Sequence, residues 1–177
     1  NVLKSTKNFK PRVWDCCAAS GGKSILFHDR FPGALITASD VRESIMLNLR
    51  NRFNRSGIHH FKSFVSDIAS ADFVNPEKYD VVICDAPCTG SGTWSRTPEQ
   101  SYFFHTDRIS YYSDLQKRIT SNAARSIEQG GYFIYITCSV FKQENEEVVE
   151  YLKQAAGLEL ISTEYLKGYD KKADTLF

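Results

Sequence analysis

The chain has no apolar run of membrane length. Its most hydrophobic stretch, "GGYFIYITC" at Gly130–Cys138, is far shorter than the roughly 20 residues a helical span requires, so no membrane partner is expected. It also lacks an excess of either charge. Lys and Arg number 22 against 21 Asp and Glu, so the overall balance announces no polyanionic partner, and any basic patch must be local. No charged-then-apolar leader opens the chain, and its five cysteines are an odd number without the spacing of a disulfide framework. A reducing cytoplasm is the expected setting, with a monomer as the default state. Repeats and low-complexity segments are missing too. The remaining composition, 42% hydrophobic and 24% charged, reads as one globular domain over residues 1–177.

Two further absences concern nucleotides. "DCCAASGGKS" at Asp15–Ser24 ends like a phosphate-binding loop, but the glycine that pattern needs five positions before Gly22 is Cys17. A dinucleotide would want G-x-G-x-x-G, and the first turn offers only Gly21 and Gly22. Neither a nucleoside triphosphate nor a dinucleotide is therefore expected.

What is present is an alternation of short apolar runs with longer amphipathic stretches, the pattern of parallel strands joined by crossover helices. Strands are expected at Arg12–Cys17, Ala34–Ser39, Phe61–Ser66, Tyr79–Cys84, Tyr132–Thr137 and Leu158–Ser162. Helices are expected at Gly22–Phe31, Arg42–Arg55, Asp107–Gln129 and Gln143–Ala155, with Gly57, Gly130 and Gly157 as stop signals. "YDVVIC" and "YFIYIT" are hydrophobic runs without regular alternation, which suggests burial on both faces of a doubly wound α/β sheet, mainly parallel. One long irregular connection, "GTWSRTPEQSYFFHTD", is a candidate functional loop.

In such a sheet ligands lie beyond the carboxyl ends of the strands, and there acidic residues recur at Asp40, Asp67 and Asp85. An acid closing the second strand, about 20 residues past a glycine-bearing turn, commonly takes ribose hydroxyls. A nucleoside cofactor without a pyrophosphate fits, namely S-adenosyl-L-methionine, whose carboxylate Lys23 can meet. Each aspartate could instead cap the structure that follows it.

Cys88 and Cys138 follow the fourth and fifth strands, which are neighbours when the sheet switches between its first and fourth strands. Two thiols beyond adjacent strands suit methylation at carbon 5 of a pyrimidine. Thiolate addition at carbon 6 makes carbon 5 nucleophilic, and a second polar group then assists release. Asp85 can read ring nitrogen 3 and the exocyclic amine of cytosine. Cys16, Cys17 and Cys84 are expected as core or turn residues. Zinc at Cys84 and Cys88 is excluded because alternating faces and the intervening Ala-Pro scatter the ligands, so no metal is expected.

"DCCAASGGKS", "ASD" at Ala38–Asp40, "SD" at Ser66–Asp67, "DAPCTGSG" at Asp85–Gly92 and "ITCSVFKQENEEVV" at Ile136–Val149 together resemble the Sun-type family of RNA cytosine-5 methyltransferases. The resemblance implies a Rossmann-like methyltransferase fold with an RNA substrate, ribosomal rather than transfer RNA. It implies a cofactor loop of Cys17, Ala18, Ala19, Ser20, Gly21, Gly22 and Lys23, with Asp40 at the ribose, Asp67 towards the adenine and Asp85 near the target base. Cys138 becomes the nucleophile and Cys88 the cysteine that aids product release. Ser20 stands where the family usually has proline, and Ser24 where it usually has threonine. An RNA-contacting extension before the first strand and a further strand pair beyond the fifth are usual in the family, so this chain reads as a catalytic core.

Methylation of an exocyclic amine is the alternative chemistry, and a non-catalytic RNA-binding module the alternative class. In the long loop Trp94, Arg96 and Tyr102 are candidates to stack on a base or hold phosphate, whereas Phe103 and Phe104 are expected to pack.

Overall fold

The protein is described by a computed structural model over residues 10–168 and 173–177. The described residues form two compact units, one of residues 10–85 with 126–134, the other of residues 86–125 with 135–177.

The first unit is built on a sheet of β1 (Arg12–Asp15), β2 (Leu35–Asp40), β3 (Phe61–Val65), β4 (Tyr79–Asp85) and β5 (Ile127–Ile136), in the order β3-β2-β1-β4-β5. The β1–β2, β1–β4 and β2–β3 pairs are parallel. The switch between β1 and β4 lies where the sequence places it, so the architecture is the doubly wound α/β fold expected. As the central strand, β1 has neighbours on both edges, and Val13, Trp14 and Asp15 are all buried.

Trp14 organises this core. Its ring stacks on Tyr79, Phe73 and Phe64 at centroid distances of 5.5, 6.0 and 6.3 Å. Its indole N–H donates to Ser39 Oγ at 2.9 Å, and that hydroxyl donates to the Cys16 carbonyl at 3.1 Å, so the one polar atom of the ring is satisfied. Between β1 and β2 runs α1 (Gly22–Arg30), and between β2 and β3 runs α2 (Glu43–Arg55), which buries Met46, Leu49 and Phe53 along one stripe. Ile45 sits at the rim of that stripe.

In the second unit α4 (Asp107–Ala124) packs with α5 (Glu146–Ala156), whose buried residues are Val148 and Leu152. A short helix, α3 (Glu99–Tyr102), interrupts the long irregular connection.

Three sequence expectations are corrected. The first strand stops at Asp15 rather than Cys17, because Ala18 turns back so that its N–H donates to the Ser39 carbonyl. The helix expected at Asp107–Gln129 ends at Ala124. The Ser126 carbonyl is taken by the Tyr79 N–H, which draws the chain into β5 five residues before the expected start, and Gly130 lies inside that strand with φ +77° instead of stopping a helix. The expected sixth strand at Leu158–Ser162 does not form. Those residues have no neighbouring strand among the described residues, and Leu160 and Ile161 are exposed.

Trp14→Ala is expected to destabilise the chain by about 3–5 kcal/mol, since it removes a fully buried ring and leaves a cavity among three aromatic neighbours. Urea unfolding measures the loss, and a change below about 1 kcal/mol would contradict the role given to this side chain.

Candidate active site

The turn leaving β1 is held from below and from the side. Ser24, in the first turn of α1, donates to Asp15 Oδ2 at 2.7 Å, locking the start of the helix to the end of the strand. Gly21 has φ +82°, and a Cβ there would stand 2.5 Å from Phe53 Cε1, so only glycine lets the turn approach α2. Ala19 also has a positive φ, of 46°, a conformation that costs energy for a residue with a Cβ. Beside it, Arg52 donates to the Ser20 carbonyl at 2.9 Å and also contacts the Ser20 hydroxyl. Arg52, on α2, thus braces the turn.

Asp40, at the end of β2, is the acceptor around which the turn is arranged. Its Oδ2 receives the Ala19 N–H at 2.9 Å, and its Oδ1 receives the Arg42 N–H at 3.0 Å. The Arg42 guanidinium adds bonds to both oxygens at 2.9 and 3.1 Å. Burial pushes this carboxyl upward, but the Arg42 guanidinium and the two backbone donors outweigh it and leave its pKa below the usual value. Asp67 is exposed, and its Oδ1 accepts the Ala69 N–H at 2.9 Å, which is the capping geometry weighed for it. Lys23 reaches the end of β4, where its ammonium pairs with Asp85 Oδ2 at 2.7 Å.

Sequence reasoning did not single out two features of this unit. Asp15 is buried with Oδ1 lacking a hydrogen-bond partner, and burial lifts its pKa from 3.8 to about 7 despite the Ser24 hydrogen bond. Cys16, Cys17 and Cys84 lie with their sulfurs within 4.8 Å of one another. Hydrogen bonds from the Cys16 and Cys84 thiols hold Cys17 below the ordinary thiol range, while Cys16 is pushed up.

The second unit carries the other two cysteines. Cys88 Sγ and Cys138 Sγ stand 3.3 Å apart. The contact with Cys138, with burial, pushes the Cys88 thiol well above its ordinary pKa, which favours its protonated form. Around the pair, the loops at 88–92 and 137–141 are laced together. Gly92 N–H donates to the Cys138 carbonyl at 2.8 Å and Val140 N–H to Ser91 Oγ at 2.9 Å. A Cβ on Gly92 would lie 3.0 Å from the Cys138 carbonyl oxygen and 2.4 Å from that of Thr175, which explains a glycine there. Glu144, fully buried, accepts hydrogen bonds from Thr89 and Ser139. Sequence gave no signal for it beyond its place in "KQENEE".

Of the loop candidates, Trp94 packs edge-on to Phe104 at 5.0 Å, and Phe104 stacks on Phe141 at 5.4 Å. Phe103, expected to pack, is instead 72% exposed beside the exposed Tyr102, because the turn after α3 points it outward. Arg96 is engaged by Asp174 through two hydrogen bonds, at 3.1 and 2.8 Å.

Residues 2–175 match the family model described as 16S rRNA methyltransferase RsmB/F. The chain belongs to the RsmB/F family. Among curated relatives, ribosomal RNA small subunit methyltransferase B of Xanthomonas campestris is 32% identical over 141 residues, covering 78% of this chain and 32% of that protein. The protein of the same name from Vibrio cholerae is 27% identical over 159 residues, covering 86% of this chain and 35% of its own length. The chain thus spans about a third of the length of these RsmB/F relatives. Among solved structures, PH0851 superposes with a TM-score of 0.76 at 34% identity, covering 88% of this chain and 34% of that one. NSun6 from Pyrococcus horikoshii, solved with SFG, superposes with a TM-score of 0.72 at 25% identity over 81% of this chain and 37% of that one. S-adenosylmethionine is the cofactor of the RsmB/F family, and SFG is an analogue of it. Among the described residues no helix is long and apolar enough to cross a membrane.

The Asp15 shift carries a pH dependence of defined sign. Between about pH 4 and 7 the folded chain retains a proton that the unfolded chain has released, so this group's contribution to stability falls as pH rises, by at most about 1.4 kcal/mol per pH unit. Wild type is expected to lose stability relative to Asp15→Asn across that window and to hold a constant difference above it. Unfolding curves taken at a series of pH values that show a constant difference throughout would refute the assignment.

Proposed function

We propose that this chain acts as one methyltransferase catalytic domain that transfers a methyl group from S-adenosylmethionine to carbon 5 of a cytosine in RNA, ribosomal RNA by its family. The single observation that supports the covalent route best is the contact of 3.3 Å between Cys88 Sγ and Cys138 Sγ. One thiol that stays protonated and donates to another leaves the second as the better thiolate, which assigns Cys138 as nucleophile and Cys88 as the proton-bearing partner.

The first unit's residues fit the cofactor. Gly21 is a position where a side chain would collide with Phe53, Gly22 has open space around it, and Asp40 presents both carboxylate oxygens at the end of β2. Ribose hydroxyls would take the acceptor positions that the exposed Arg42 guanidinium now shares, with the Ala19 N–H keeping Asp40 oriented. Cys17, Ala18, Ser20 and Lys23 complete the loop, and Asp67 keeps one carboxylate oxygen beyond its own turn for the adenine. When bound, S-adenosylmethionine supplies an electrophilic methyl group. The sulfur of Cys138 adds to carbon 6 of the cytosine, and carbon 5 gains the nucleophilicity to accept the methyl group. Asp85, steadied by Lys23, faces the amine edge of the base and favours cytosine over uracil. Loss of the carbon-5 proton to solvent and departure of Cys138 as its thiolate, with the Cys88 thiol hydrogen-bonding the leaving sulfur, complete the cycle.

Cys138→Ala is expected to abolish turnover, whereas Cys88→Ala should accumulate protein bound covalently to RNA, visible as a band resistant to denaturing gels. Equal loss in both variants without trapping would contradict the assigned roles. Tritium at cytosine carbon 5 should be released to water in step with methylation. Methylation without release would point to the exocyclic amine, and cofactor binding without turnover to a non-catalytic module. Arg52→Ala should weaken S-adenosylmethionine binding about threefold to tenfold by freeing the turn at Ser20, as calorimetry can measure. Nucleoside triphosphates should not bind to either protein.

A further inference from the structure

We propose that Glu144 is a positioning residue for the thiol pair. Its buried carboxylate gathers the residues that follow Cys88 and Cys138 into one hydrogen-bond network and thereby sets the contact between the two sulfurs.

The division of labour between its two oxygens is the main argument. Oε1 accepts from two N–H donors, the Thr89 backbone at 2.8 Å and Gln116 Nε2 at 3.3 Å. Oε2 accepts from two hydroxyls, Thr89 Oγ1 at 2.6 Å and Ser139 Oγ at 2.5 Å. Thr89 lies 55 positions before Glu144, so the side chain is turned away from its own short 3₁₀ segment, Lys142–Glu144, and is not a local cap. Among the described residues no Lys or Arg pairs with it. A carboxylate buried without a cation is expensive unless hydrogen bonds satisfy it, and here all the compensation comes from the two cysteine-bearing loops and the helix behind them.

The network clamps each cysteine on both sides. Before Cys88, the Pro87 carbonyl accepts from Gln116 Nε2 at 2.9 Å; after it, Thr89 is held by Glu144. Around Cys138, Asn145 spans the gap by accepting from Thr137 Oγ1 at 2.5 Å and donating to the Ser139 carbonyl at 2.9 Å, while Ser139 Oγ is held by Glu144. Glu144 holds both loops through a single carboxylate, beside the direct bond from the Val140 N–H to Ser91 Oγ. A sulfur–sulfur contact is sensitive to small displacements, so the atoms one residue away on each loop decide whether it forms.

This inference deepens the cytosine-5 reading and rests on it only for its consequence in turnover. Its direct readout is the rate at which diamide, taking two electrons and two protons from the thiols, closes a Cys88–Cys138 disulfide in the full chain. Peptide mass spectrometry maps the bond and counts Cys16, Cys17 and Cys84 apart.

Glu144→Ala leaves two buried N–H donors without an acceptor and is expected to slow closure at least tenfold, with circular dichroism and S-adenosylmethionine affinity unchanged. Glu144→Gln can keep its oxygen towards the two N–H donors and turn its amide towards the two hydroxyls, which can accept, so closure within about threefold of wild type is expected. Wild-type closure in folded Glu144→Ala, or equal slowing in both variants, would overturn the proposal. If Glu144→Ala fails to fold, Thr89→Val and Ser139→Ala take its place. Each removes one donor to Oε2 and should slow closure threefold to tenfold, and wild-type rates in both would be equally fatal. On RNA the same ranking is expected in kcat with unchanged KM for S-adenosylmethionine. Closure that follows the ranking while no variant or wild type methylates cytosine would sink the cytosine-5 reading and leave the positioning role standing.

Discussion

The hydrogen bond from the Ala19 N–H to Asp40 is the constraint on which the first unit's chemistry depends. To make it, the chain must leave β1 directly after a buried aspartate, double back against Ser39, and enter α1 within a few residues. Ala19 accepts a positive φ, and Gly21 comes within reach of Phe53, as the geometric consequences. Everything proposed about cofactor recognition follows from that turn. The turn and the acid at the end of β2 occupy the crevice position that doubly wound sheets offer to nucleosides.

The second unit solves a different problem with similar means. Its two thiols lie in contact, flanked by threonine, serine, glutamine, asparagine and glutamate side chains hydrogen-bonded in a buried network in which Gln116 Oε1 is left without a partner. Such networks specify geometry more sharply than hydrocarbon packing, because each hydrogen bond has a direction and an unpaired member is costly. Burial and the contact with Cys138 together push the Cys88 thiol up, a shift that an isolated cysteine would not show.

Much of this was legible in the sequence. Apolar runs such as Tyr79–Cys84 announced buried strands, and the acids at Asp40 and Asp85 stand at strand ends as spacing required. Less legible were the boundaries. Asp107–Gln129 reads as one helical pattern, yet the Tyr79 N–H takes the Ser126 carbonyl and diverts the last residues into β5. Leu158–Ser162 has the apolar character of a strand, but without a partner edge that composition forms nothing. Phe103 was misread for the same reason, since whether a side chain on a surface element meets solvent or a neighbour depends on chain that is distant in sequence.

By itself, the sequence determined the alternation of strands and helices, the small-residue turn, and the two cysteines placed after successive strands, because these follow from local periodicity and spacing. Only the tertiary structure decided that Lys23 would pair with Asp85, that Asp15 would hold a proton near neutral pH, and that Glu144 would join two loops half a hundred residues apart. Those are properties of distance and burial between remote segments, and no local pattern encodes them.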